Sequence, residues 1–477
     1  MTNSADGPSL RTHTSTIRHL DAARARTLVA LFRRPAAFDG DGLARDDSDP
    51  VTAGAGGSIN LERSPEDPAA VVGHHATHIY LHELRRLPLS VARELARHRG
   101  HLYLDRLTSL THAVAEELGR HAGGGLSLNN LRALSAAGAW SLGQHDGELS
   151  LNRLRHLDAD AALGLAQHAN ELYLGGLRRL SPAAAAALSR HRGDLSLDGI
   201  VRLSARVATH LARHRGKLHL HGPERLTDAT AAALGRRTGF LCLRSLKQLS
   251  TQQAHDLAHH RGPLLLSSLA VHDDVAASLG RHEGSLVISV PDDIPLERLA
   301  ALVEHRGPIS IEGLERLDAA RAAVLAAQPC HRGIAGLSSL FLCAVRELTP
   351  AVAAILASSR AGELALPGLR SISEDVAREL VKHPLLALDR VSRLTDRAAA
   401  ILATHAGASL SLRNLEHVSP SGLAKLRDNV GIALPRRLFE STAPPRAAPA
   451  GHKCPTRQSL IAAIEQIARA GLPGGVS

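Results

Sequence analysis

Aromatic side chains are almost missing from this chain: one Trp, three Tyr and five Phe among 477 residues. A platform that stacks on bare nucleic-acid bases needs aromatic faces, so that class of surface is excluded. Lysine is scarce too. It occurs only at Lys217, Lys247, Lys382, Lys425 and Lys453, so arginine carries the formal net charge of +10. A chain rich in Arg, Ala, Gly and Leu is also what a GC-rich coding sequence gives, and the charge alone does not argue for a nucleic-acid partner. The four cysteines, Cys242, Cys330, Cys343 and Cys454, form no C-x-x-C pair and are too sparse for a disulfide framework. No run of about 18 apolar residues exists, so no transmembrane helix is expected. The opening MTNSADGPSLRTHTS has no apolar signal core, and the expected setting is soluble and cytoplasmic. G-x-S-x-G, P-loop, G-x-G-x-x-G and H-E-x-x-H motifs are all lacking. We therefore expect no enzyme, no cofactor and no metal site.

What is present is a repeat. Residues 101–123 read HLYLDRLTSLTHAVAEELGRHAG, and clean copies of this 23-residue pattern run from Glu148 to Gly262. A unit this short cannot bury its own apolar face and must stack on copies of itself. Each copy opens with alternating leucines, such as Leu172 and Leu174, or Leu195 and Leu197. Period two over a few residues means a short strand. Ser, Thr or Asp follows, at Thr111, Ser135, Asp158, Ser181, Ser204, Thr227 and Ser250. Such side chains accept hydrogen bonds from the free N–H groups of a helix start. Apolar residues then fall at i, i+3 and i+4, as at Ala254, Leu257 and Ala258, giving one buried helical face. A glycine closes the unit, for example Gly123, Gly147, Gly193 and Gly216. Glycine is expected there because it tolerates the left-handed conformation that ends a helix.

The pattern resembles the leucine-rich-repeat family. The stretches Leu226–Gly235 and Leu394–Ala403 look most like its cysteine-containing subtype. The resemblance implies an α/β solenoid, an arc or horseshoe with parallel strands on the concave face and short helices on the convex face. It also implies a protein-binding role. There is one departure. The family usually has Asn or Cys, tying adjacent turns together, where this chain has Leu131, Leu154 or Leu177. An apolar contact is expected in its place.

Along the chain we expect four parts. Residues 1–57 hold a half-repeat (Ile17 to Leu31, capped by Asp21) and an Asp- and Gly-rich insert. Residues 58–438 form the solenoid of about 15 units. A Pro- and Ala-rich linker covers 439–458, and an amphipathic helix 459–477. The insert's aspartates, from Asp39 to Asp49, miss the spacing of a calcium loop. The repeat is irregular at Val271–Asp274, at Pro291 and Pro295, and in AQPCHRGIAGLS beyond Ala327.

Three sets of residues are candidates for function. A histidine column (His75, His98, His121, His145, His168, His191, His214, His260, His282, His305, His383 and His405) stands two residues before the closing glycine. A ring at a helix C-terminus can satisfy a free carbonyl. One His per repeat makes a line and not the cage that a metal wants. Protonation would line up like charges, so stability should fall between about pH 7 and pH 5. The concave strand positions place Tyr80, His82, Tyr103, Asp105, Asn129, Asn152 and Tyr173 where a protein partner would bind, since aromatic and polar residues on a rigid surface suit a protein contact. An arginine column at Arg86, Arg179, Arg202, Arg225, Arg316 and Arg393 offers the alternative, an edge for an extended anion such as nucleic acid.

Overall fold

Each turn of the chain begins with a very short strand because only two or three leucines alternate before the cap residue arrives. The computed structural model describes residues 20–31, 78–121, 123–328, 339–435 and 438. The Asp- and Gly-rich insert, His75, the linker and the C-terminal helix lie outside the described residues, as do Cys330 and Cys454. The strands are β1 (His78–Tyr80), β2 (His101–Tyr103), β3 (Leu126–Ser127), β4 (Leu149–Ser150), β5 (Leu172–Tyr173) and β6 (Leu195–Ser196). Then come β7 (Leu218–His219), β8 (Leu241–Cys242), β9 (Leu264–Leu266) and their successors to Ile432–Ala433. Sixteen strands are found among the described residues, and their order in the sheet is their order in the chain. Neighbours pair in parallel with each residue opposite its counterpart one repeat on, as His78 opposite His101 and Leu218 opposite Leu241. Parallel pairing needs a crossover, and one short helix per repeat supplies it.

Two compact units divide the chain: the described parts of Met1–Leu154 with His168–Leu172, and Arg155–Gln167 with the described parts of Tyr173–Gly451. In the first, Leu102, Leu104 and Leu107 from one strand and its turn, and Ala115 and Leu118 from the following helix, all have no exposed surface. In the second, Leu195, Leu197, Ile200, Ala208 and Leu211 are likewise without exposed surface. At ~25 cal/mol per Å2 of apolar surface removed from water, such leucine layers are the chief stabilising force.

Helix starts follow the cap residues. Thr111, Ser135, Asp158, Ser181, Ser204 and Thr227 each accept from the N–H three residues on. Ser250 goes further and forms a capping box with Gln253. Pro88, His272 and Pro295 precede helices without any side-chain cap bond, and the last two fall where the repeat is irregular. The helix Ala22–Leu31 begins with Asp21 accepting from the Arg24 N–H at 2.8 Å. Among the described residues no helix is long and apolar enough to cross a membrane.

The closing glycines are needed for a reason other than the expected one. Gly123 has φ +93°, but Gly147 and Gly216 do not have positive φ. A Cβ on Gly147 would stand 1.8 Å from the Gly124 carbonyl oxygen, and one on Gly216 would stand 2.0 Å from that of Gly193. Close stacking of turn on turn, and not left-handed backbone, selects glycine at these two positions.

Candidate functional site

The histidine column is a buried ladder. His98, His121, His145 and His168 in the first unit are 1–3% exposed. Successive ring centroids there lie 6.3, 5.2 and 6.1 Å apart. In the second unit His260, His282 and His305 have no exposed surface and stack at 5.7 and 5.6 Å. His260 Nε2 donates to the Gly239 carbonyl at 2.8 Å, and His405 Nε2 to the His383 carbonyl at 3.0 Å. Each of these two rings thus ties its own turn to the preceding one. Where the column changes residue, the bond survives. Arg237 donates to the carbonyls of Leu211, His214 and Gly216, Gln328 to that of Gly307, and Asn429 to those of Ala403 and His405. Burial disfavours the imidazolium. It pushes His121 and His282 down to about 3, and His145, His214, His260 and His305 down to about 4. Burial thus keeps these rings neutral near pH 7, and the carbonyls that His260 and His405 reach belong to the preceding turn and not to the end of their own helix.

A second ladder runs along the strand ends and includes residues first singled out for binding. Asp105 Oδ1 accepts from the Ser127 hydroxyl at 2.5 Å and from the Asn129 backbone N–H at 3.0 Å. Asn129 Oδ1 accepts from Ser150 and the Asn152 N–H in the same fashion, at 2.7 and 3.0 Å. Asp389 repeats this with Ser411 and the Arg413 N–H. The tie between turns thus sits two residues before Leu131 and Leu154, which are buried as expected. It is polar, contrary to the apolar replacement anticipated from the sequence.

Beside that ladder is an aromatic cluster. The strand period puts residues 78, 80 and 82 on one side of the chain, and parallel register sets Tyr80 opposite Tyr103. Their rings stack with centroids 4.4 Å apart and planes within 9°. His82 lies 5.7 Å from Tyr80 and its Nδ1 is 3.6 Å from Asp105. His78 and His101 close the group, their rings 4.6 Å apart. Burial, and then the neighbouring Tyr80, push the Tyr103 hydroxyl up to about 12. A shallow depression of about 440 Å3 adjoins the cluster, lined by Asp105, Arg106, Asn129, Asn130 and Arg153. Tyr173, a half-buried residue of β5, belongs to the second unit.

The arginine column is exposed at Arg86, Arg179, Arg202, Arg225, Arg316 and Arg393. Arg316 is held by Asp292, whose Oδ2 lies 3.3 Å from its Nε. Hydrogen bonds from the Arg316 backbone, and then from Glu315, hold the Asp292 carboxyl below its usual range. Other basic residues pair with acids one repeat away, as in Arg93–Glu117, Arg106–Glu83, Lys217–Asp194 and Lys247–Glu224. These rows alternate in sign across turns. A wider groove of about 880 Å3 lies against the N-terminal helix and is lined by Arg24, Arg85, Arg86 and Arg106 together with Asp21 and Glu83.

One constellation escaped the sequence reading. His219, His221 and Cys242 bring three ligand atoms within 4.8 Å of one another. His221 Nε2 stands 3.1 Å from Cys242 Sγ. Burial pushes the Cys242 thiol up to about 12 and lowers both histidines. The signal was available: K-L-H-L-H in one repeat and F-L-C-L-R in the next place His219 and Cys242 at the same repeat position.

No family model and no curated protein matches this sequence. Among solved structures the chain is similar to a leucine-rich-repeat protein of Leptospira interrogans, at 15% identity and a TM-score of 0.34, over 78% of this chain and all (100%) of that one. It is similar also to an internalin from Listeria monocytogenes, at 17% identity and a TM-score of 0.34, over 68% of this chain and 88% of that one. At such values neither likeness carries an argument, and the solenoid description rests on the chain's own repeats, strand order and helices.

Proposed function

We propose that this chain is a non-catalytic scaffold that binds a protein partner on the strand face of its N-terminal unit, with Tyr80 and Tyr103 as anchors. One observation carries the reading: a stacked tyrosine pair on the strand face, in a chain with three tyrosines, flanked by His82 and Asp105. Tyrosine joins a large apolar face to a hydroxyl, and such residues supply much of the energy of protein contacts. The backbone beneath is fixed by the Asp105–Ser127–Asn129 bonds, so little ordering entropy opposes binding. His82, Asp105, Asn129 and Asn152 contribute hydrogen-bonding rims. The arginine column serves as solvated edge charge: its members are exposed, and Arg316 already has an acid partner in Asp292.

The experiment is recovery of partners on the immobilised full-length chain, with and without nuclease and at two salt concentrations. A discrete protein recovered regardless of nuclease and salt supports the proposal. Nuclease-sensitive recovery that fades with salt would transfer the function to the arginine edge as an anion-binding surface.

A further inference from the structure

We propose that His219, His221 and Cys242 form a binding site for a divalent metal ion of the zinc class. It belongs to the second unit and does not depend on the proposed partner surface. Two imidazole nitrogens and one thiolate make a donor set suited to borderline ions, which magnesium and calcium do not favour. The repeat builds the set. Alternation puts His219 and His221 on the same side of the strand, and parallel register sets Cys242 opposite His219. Among the described residues this is the group of three or more His, Cys, Asp or Glu side chains whose ligand atoms converge to within 4.8 Å.

The distances suit an ion. A tetrahedral zinc with bonds of about 2.05 Å to nitrogen and about 2.3 Å to sulfur holds its donors roughly 3.4–3.6 Å apart. Cys242 Sγ and His221 Nε2 are already 3.1 Å apart, so loading asks for an opening of a few tenths of an ångström. The next shell is built as well. Asp198 Oδ2 accepts from the Ser196 hydroxyl at 2.6 Å, and Oδ1 accepts from the His221 backbone N–H at 3.2 Å. The same Oδ1 lies 3.1 Å from His221 Nδ1. Nδ1 makes no hydrogen bond in this structure, and a small turn of the ring on loading would bring it to that carboxylate, the carboxylate–histidine–zinc arrangement. Arg244 opposes the ion by its charge, and Asp198 offsets it.

Three protein ligands leave a fourth position. That position would take water or an outside ligand. Loading replaces the Cys242 S–H bond by a metal–sulfur bond and releases that proton to solvent, with no change of oxidation state. The competing arrangement is a plain S–H···N hydrogen bond from Cys242 to His221, which binds no ion.

The test uses the full chain stripped with a chelator and titrated with cobalt(II), then zinc. We expect one cobalt per chain, a near-ultraviolet sulfur-to-cobalt absorption band, visible bands of tetrahedral intensity, and displacement by zinc. Cys242→Ser should abolish the sulfur band. Asp198→Asn should keep that band while weakening zinc roughly 10–100-fold. His219→Gln, at a partly exposed position and with folding checked by circular dichroism, should weaken zinc about tenfold or more. Cys343→Ser should change nothing. The proposal is overturned by absence of the sulfur band, by its persistence in Cys242→Ser, or by unchanged zinc affinity in folded His219→Gln.

Discussion

Acid should unfold this protein in a window set by its buried histidines. The unfolded-state pKa is about 6.5, and six column rings are held at about 3 to 4 in the fold. Above the unfolded value these rings are neutral in both states and stability does not depend on them. As pH falls below it, the unfolded chain takes up protons that the folded chain refuses. Stability is lost from about pH 6.5 down to the folded values, and the loss levels off below them. At pH 5 each such ring costs about 2 kcal/mol, so a handful matches the roughly 5–15 kcal/mol stability of an ordinary domain. The depressed carboxylates Glu94, Asp292 and Asp318 act lower. Their stabilisation is present above the ordinary carboxylate range and is lost only below it. The assay is urea unfolding followed by circular dichroism at pH 7.5, 6 and 5. His282→Gln is the informative variant, because glutamine already occupies the column at Gln328 and donates to the Gly307 carbonyl. It should change stability little at pH 7.5 and recover about 2 kcal/mol at pH 5. Equal stability at pH 7.5 and pH 5, or the same acid loss in His282→Gln, would refute the burial argument.

Other perturbations separate packing from surface. Leu197 has no exposed surface, so Leu197→Ala should cost about 2–5 kcal/mol in denaturant unfolding, whereas exposed Arg202→Ala should cost under about 0.5 kcal/mol. Similar losses would invert the assignment of inward and outward positions. Gly216→Ala should destabilise by about 1–3 kcal/mol, because the new Cβ would land 2.0 Å from the Gly193 carbonyl oxygen. At an open position of ordinary φ the same change stabilises by about 0.4–1 kcal/mol, so the sign of the measured shift decides whether stacked turns select the glycine.

Much of the fold was legible because the repeat states each local rule many times. Alternating leucines, a Ser, Thr or Asp cap and an apolar helical face agree in copy after copy, and the strands and caps fall where that pattern puts them. Four things were not legible. Glycine at the close of a unit reads alike whether it serves positive φ or close approach, and only the stacked turns distinguish the two at Gly147 and Gly216. A histidine before a helix end reads as a terminal cap, whereas its ring turns inward to the previous turn, a placement that depends on stacking geometry. Asp105 and Asn129 read as exposed polar residues of the strand face, yet their oxygens accept from the next repeat, 21 to 24 residues away. The His219, His221 and Cys242 cluster was missed for a related cause. Its members are adjacent only once the repeats are laid in register, so a scan for motifs within one stretch of sequence passes over it.

On the proposed function, the tyrosine surface and not the arginine edge holds the partner. The most direct measurement compares partner affinity for the wild-type chain, for Tyr80→Ala with Tyr103→Ala, and for combined alanine replacement of Arg179, Arg202 and Arg225, each verified as folded. The account predicts that the tyrosine pair weakens binding tenfold or more, about 1.4 kcal/mol, while the arginine triple leaves it within about twofold. Loss of binding in the arginine triple with full binding in the tyrosine pair would contradict it.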